Sequence, residues 1–174
     1  MEERNNRFYF HNKQYRFVYL FILFLSLLNL GMIFSVPILV DKSSVYGFLA
    51  GLIKLFYAPL CHQNPERSFV LWDHALPVCS RCTGIYTGFF LGTVIFPFIS
   101  KKIKNIYPPK IILLLALLPM GLDVGLKWIL HIDTGLIIHF ITGSVFSILF
   151  SFFAIPGLLE LSDLLIKRGE MSYG

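Results

Sequence analysis

Charge is what this chain has least of. Only 14% of its 174 residues are Asp, Glu, Lys or Arg, and none interrupts the 24 residues from Phe17 to Val40. Hydrophobic residues make up 56%, including 18 phenylalanines. One water-soluble domain of this size cannot hide so much apolar surface, so lipid is the natural solvent. The net charge of +5 then reads as a topology signal, because Lys and Arg beside apolar spans stay on the cytoplasmic side. No nucleic-acid partner is implied. Internal repeats and low-complexity segments are lacking. So is a small-residue A-x-A cleavage site after the first apolar run, which predicts an anchor and not a cleaved signal. Cysteine is scarce too: there are three, all within residues 61–82.

The apolar runs predict an all-α, polytopic membrane bundle of four transmembrane helices, about 17–40, 83–100, 111–130 and 135–155. Residues 45–60 are apolar but short, interrupted by Lys54 and ended by Pro59. They predict an interfacial or re-entrant helix that delivers Cys61 to the membrane surface. The loop 61–82 is too polar for lipid. A single transmembrane domain, 17–166, is flanked by polar tails at 1–16 and 167–174. Pro97 and the basic run 101–104 close the second span. Asp133 or Thr134 is available to cap the last helix, which can continue past Glu160 to Lys167 and Arg168. Four spans put Arg4, Arg7, Lys13, Arg16, Lys101, Lys102, Lys104, Lys110, Lys167 and Arg168 on one side, against five basic residues elsewhere. That split predicts a cell-membrane protein with both termini cytoplasmic and the 61–82 loop facing outward. A fifth crossing by 45–60 would erase the bias.

The loop holds the chemistry. Cys79-Ser80-Arg81-Cys82 is a C-x-x-C, whose thiolates can share a metal ion or close as a disulfide. Cys61 and His62 arrive from upstream, and His74 precedes Cys79 by five residues. Three cysteines with His62 or His74 would make the Cys₃His set that suits tetrahedral zinc. An outward face is often oxidising, so a second reading is a Cys79–Cys82 disulfide with Cys61 as the exchanging thiol. The plainest is a structural disulfide with one buried thiol. Arg67, Ser68 and Arg81 are candidates for binding a phosphate or lipid headgroup, or are solvated loop residues.

Polar groups inside the spans gather toward the same side. Asp123 and Lys127 are four apart on one helix and can neutralise each other. Asp123 and His139 are also the catalytic candidates, since ionisable groups in a span are costly unless used or paired. A transporter built on Asp123, Lys127 and His139 is the weaker alternative, because the inner halves of the spans lack a polar path. Gly84, Gly88 and Gly92 recur every four residues, as do Gly121 and Gly125. Both series predict close helix packing, and such faces could also serve a homo-oligomer.

Together, C-H-Q-x-P-x-R-S at 61–68, P-V-C-x-R-C-T-G-I-Y-x-G at 77–88 and Pro-Met-x-x-Asp at 119–123 resemble a prokaryotic integral-membrane domain of unknown function, over roughly residues 44–150. The resemblance implies a small bacterial or archaeal membrane protein and supplies no reaction. The family pattern runs Asp-Gly-x-x-Gln where this chain has Asp123-Val124-Gly125-Leu126-Lys127, so no role for that Gln carries over. Relatives with Asp in place of Cys82 favour metal over disulfide, because Asp can ligate zinc but cannot form a disulfide. The expectation is a metal site, zinc or another divalent transition metal, in a protein whose main partner is the bilayer.

Overall fold

A computed structural model describes residues 13–40, 44–100, 110–130 and 135–172. Five helices account for most of them: α1 (Lys13–Val40), α2 (Ser44–Tyr57), α3 (Ser80–Ser100), α4 (Lys110–Leu130) and α5 (Leu136–Ser172). The long uncharged runs become helices because lipid offers no partner to a bare peptide group, so each must be bonded within its own segment. The same constraint keeps α3 helical through Pro97, which was expected to close it, and α5 through Pro156.

Three stretches are long and apolar enough to cross a bilayer: Tyr15–Val40, Ser80–Ser100 and Leu136–Leu165. The remaining expected span, 111–130, is present as the 21-residue α4, whose apolar stretch among the described residues is the shorter Leu114–Gly125. Residues Val45–Tyr57 form the other short apolar helix. Phe17, Phe24, Phe48, Leu55, Phe98, Leu122 and Ile129 stand exposed, a surface that only lipid or another apolar body can cover. The basic residues at 101, 102 and 104 and the turn 131–134 lie outside the described residues. So do residues 1–12 and the side chains of Lys110, Lys127, Lys167 and Arg168.

The centre of the bundle is the seam between α3 and α5. A Cβ on Gly84 would lie 2.2 Å from the Phe140 carbonyl oxygen, and one on Gly88 2.4 Å from that of Ser144. From the other side, a Cβ on Gly143 would lie 2.5 Å from the Arg81 carbonyl oxygen. Only hydrogen fits at these positions, and the backbones touch. The Ser144 hydroxyl donates across the seam to the Gly84 carbonyl at 3.1 Å. α1 packs against this pair and against α2, with Tyr19 donating to the Thr93 carbonyl at 2.9 Å. The glycines of α4 behave otherwise. Nothing lies within 4 Å of a Cβ at Gly121 or Gly125, so their expected role in close packing does not hold.

Between α2 and α3 the chain is not the plain loop expected. It holds a single 3₁₀ turn, Pro65–Arg67, then a two-stranded antiparallel hairpin, β1 (Val70–Leu71) with β2 (His74–Ala75). Trp72 and Asp73 at its tip both have positive φ, 49° and 61°. That is the left-handed pair a two-residue hairpin turn demands, reached here without glycine. α3 begins at Ser80, three residues ahead of the expected start, so the C-x-x-C straddles a helix N-terminus.

Candidate metal centre

Each cysteine is held by a different local device. Cys61 follows the last turn of α2, where its N–H donates to the Tyr57 carbonyl at 2.9 Å. The residues after it lock the loop. The Gln63 side-chain amide donates back to the Lys54 carbonyl at 2.5 Å. Asn64 caps the 3₁₀ turn, its side-chain oxygen accepting from the Glu66 N–H at 3.0 Å. Ser68 is buried, and its hydroxyl donates to the Asn64 carbonyl at 2.9 Å. The C-H-Q-x-P-x-R-S motif is thus mostly a set of braces around Cys61.

Cys79 and Cys82 come from the start of α3. The Cys79 carbonyl accepts the Thr83 N–H at 2.9 Å and the Thr83 hydroxyl at 3.1 Å, which fixes the helix entry. Pro77 and Val78 are fully buried just before it. With Ile33, Tyr57 and Leu76, Val78 forms an apolar cluster around Cys61. The outcome is that three sulfurs from two distant segments lie within 4.8 Å of one another. All three thiols are free. The Cys79 N–H donates to the Cys61 sulfur at 3.2 Å. The Cys61 thiol is pushed well below its ordinary range, first by the Cys79 thiol, then by that of Cys82, and by the backbone N–H groups of Cys79 and Gln63. Burial opposes this and loses.

The donor set fits a metal. Zinc–sulfur bonds of about 2.3 Å put tetrahedral sulfurs about 3.8 Å apart, so contraction of roughly 1 Å or less closes the shell. Cys61, Cys79 and Cys82 could supply three ligands. Neither His62 nor His74 belongs to that close group. His62 is exposed but lines the same cavity as the sulfurs. His74 sits in β2 opposite Leu71.

That cavity, about 480 Å³, is lined by the three cysteines, His62, Asn64, Arg67, Ser80, Arg81 and His139, with Leu60 at its edge. Behind it is a charged group that sequence spacing did not assemble. Asp123 on α4 is buried, and its Oδ2 meets both the Arg81 Nη2 of α3 and the His139 Nδ1 of α5, the latter at 2.7 Å. Arg81 Nη2 also lies 3.1 Å from His139 Nδ1. A carboxylate cannot donate, so His139 carries its proton on Nδ1 and gives it to Asp123. In the neutral ring the lone pair is then on Nε2. Lys127 was the expected partner of Asp123, and its side chain is outside the described residues. Among described side chains, Arg81 and His139 hold the carboxylate. The signal was the C-x-x-C itself, which fixes Arg81 in the first turn of a helix whose seam brings α5 alongside.

A helical bundle with this much lipid-ready surface is a membrane protein. The chain belongs to the family described as Predicted membrane protein (DUF2085), whose model matches residues 61–153. It is 34% identical over 146 residues to the uncharacterized protein MJ1492 of Methanocaldococcus jannaschii, covering 82% of this chain and 94% of that protein. An uncharacterized protein of Methanothermobacter thermautotrophicus is 33% identical over 87 residues, 48% of this chain and 74% of that one. No solved structure matches. The matched region starts at Cys61, so it contains the whole sulfur cluster and the Asp123–His139 pair.

Proposed function

We propose that this is a zinc-binding membrane protein, with the ion held by Cys61, Cys79 and Cys82 and a fourth position opening to the cavity. The observation that carries the reading is the convergence of three free sulfurs within 4.8 Å. Their segments are 18 residues apart in sequence. Bound metal would clamp the loop to the start of α3. His62 is the ligand candidate from the loop, and His74 the alternative. A zinc ion held there with its fourth position left to water would supply a water of lowered pKa. His139, oriented by Asp123 and lining the same cavity, would then be the candidate base. The test is elemental analysis of detergent-purified, reduced, metal-replete protein. Wild type should carry about one equivalent of zinc, and Cys82→Ser well under half. Less than half an equivalent in the wild type overturns the reading.

Thiol–disulfide exchange is the second reading, and the lowered Cys61 thiol favours it, because the thiolate is the attacking species. Differential alkylation with peptide mapping separates the two. A Cys79–Cys82 disulfide in metal-free protein supports exchange.

The topology proposed with the site has four spans, α4 being the third, and α2 lying at the interface. The site then faces outward from the cell membrane and both termini face the cytoplasm, as the basic residues predict. Cysteine-accessibility labelling in intact cells reads this directly. Labelling of a Trp72→Cys variant, at the exposed hairpin tip, by a membrane-impermeant reagent supports it, and labelling only after lysis contradicts it.

A further inference from the structure

The Arg81 side chain is only partly used. Its side-chain hydrogen bond to the protein runs through Nη2 to Asp123. Its Nε is buried and has no partner. Ser80, the residue before it, is 1% exposed, and its hydroxyl also lacks a partner. Both residues line the cavity at the N-terminal turn of α3. The first N–H groups of a 21-residue helix point outward from that turn without intrahelical acceptors. Arg67 reaches the same cavity from the 3₁₀ turn, and no carboxylate is among the described lining residues. Asp123 sits behind Arg81 and is covered by it.

Apart from the three sulfurs, this is a one-sided arrangement. A buried carboxylate anchors one edge of a guanidinium and leaves its Nε without a partner beside the cavity. A second guanidinium, an unpartnered buried hydroxyl and a helix N-terminus line the same space. Each is a donor, and together they favour a group with several acceptor oxygens and negative charge. We propose that the cavity binds a phosphate group, carried either by a lipid headgroup or by a free phosphate ester, through Arg67, Arg81 and Ser80. None of these three is a sulfur ligand, so the phosphate site stands apart from the metal reading although the two share a cavity. Asp123 is a positioning residue here: it aims Arg81 and does not touch the anion.

The experiment uses full-length protein in nanodiscs, as purified and after chelation. Inorganic phosphate binding is followed by phosphorus NMR. Phosphatidic acid binding is followed by native mass spectrometry in phosphatidylcholine discs doped with it. Wild type should bind at least one of the two probes, with Arg67→Gln and Arg81→Lys each weakened about tenfold or more. Arg67 is exposed, so Arg67→Gln tests the site even where Arg81→Lys fails to fold. Binding of phosphatidic acid alone assigns the group to lipid, and binding of inorganic phosphate assigns it to a soluble ester; either supports the proposal. No binding of either probe overturns it. So does binding that chelation abolishes while both arginine variants match wild type, because the anion then sits on the metal. Arginine-dependent binding in protein that never holds metal upholds this site and removes the zinc reading.

Discussion

Gly84 and Gly121 belong to the same kind of four-residue series, on neighbouring helices of one bundle. At Gly84 an added methyl would lie 2.2 Å from a backbone oxygen, whereas at Gly121 it would meet nothing within 4 Å. The pattern is identical and the physics opposite. In the α3–α5 seam, glycine lets two backbones touch, and the touching backbones carry Arg81 and His139 side by side. On α4 the glycines meet nothing within 4 Å among the described residues, and what that helix brings to the site is one buried carboxylate. Arg81 and His139 are therefore placed by a backbone-to-backbone seam, and Asp123 reaches them from a helix that packs on α5 without one.

The largest effect expected from breaking this contrast is on the electrostatic side. Asp123→Asn leaves Arg81 without its charged partner, and removing one member of a buried pair costs about 3–5 kcal/mol. Thermal unfolding in detergent should show it as a marked loss of stability, with zinc retention reduced because the start of α3 loosens. Next comes the seam. Gly84→Ala forces backbone against backbone, a strain of about 1–3 kcal/mol or more. Gly88→Ala should behave alike, with its added methyl 2.4 Å from the Ser144 oxygen. The smallest effect is at the open glycines. Gly121→Ala should be neutral or stabilising by about 0.5–1 kcal/mol, since alanine is the better helix former. A Gly121→Ala variant as damaged as Gly84→Ala would erase the distinction, and one measured in the same detergent series would sharpen it. The hairpin supplies a further comparison within the loop. Asp73→Gly relieves a positive φ and should stabilise the loop slightly, read as slower proteolysis between β1 and β2.

Much of the architecture was legible in the sequence because lipid leaves the chain few choices. An uncharged run of 24 residues has to be a helix in a bilayer, and Phe17–Val40 is one. The convergence of Cys61 with the C-x-x-C was readable as the metal reading of three thiols in 22 residues, beside the disulfide readings that the same residues allow. What spacing could not reveal was tertiary. The Lys127 side chain, four residues on, lies outside the described residues, and the described partners of Asp123, Arg81 and His139, are 42 and 16 residues away, beyond the reach of any spacing rule. The hairpin escaped notice because its turn is Trp72-Asp73, where Asn-Gly is the usual signal. Ser68 looked like an anion ligand from its place beside Arg67, and its hydroxyl is committed to the Asn64 carbonyl. Pro97 misleads for a related reason: it was expected to close its helix, and here it lies inside it.

The claim beneath all of this is that Cys61, Cys79 and Cys82 hold one metal ion. X-ray absorption at the zinc edge of the purified, reduced protein tests it most directly. The account predicts three sulfur neighbours at about 2.3 Å and one lighter atom. A shell of nitrogen and oxygen alone would contradict it.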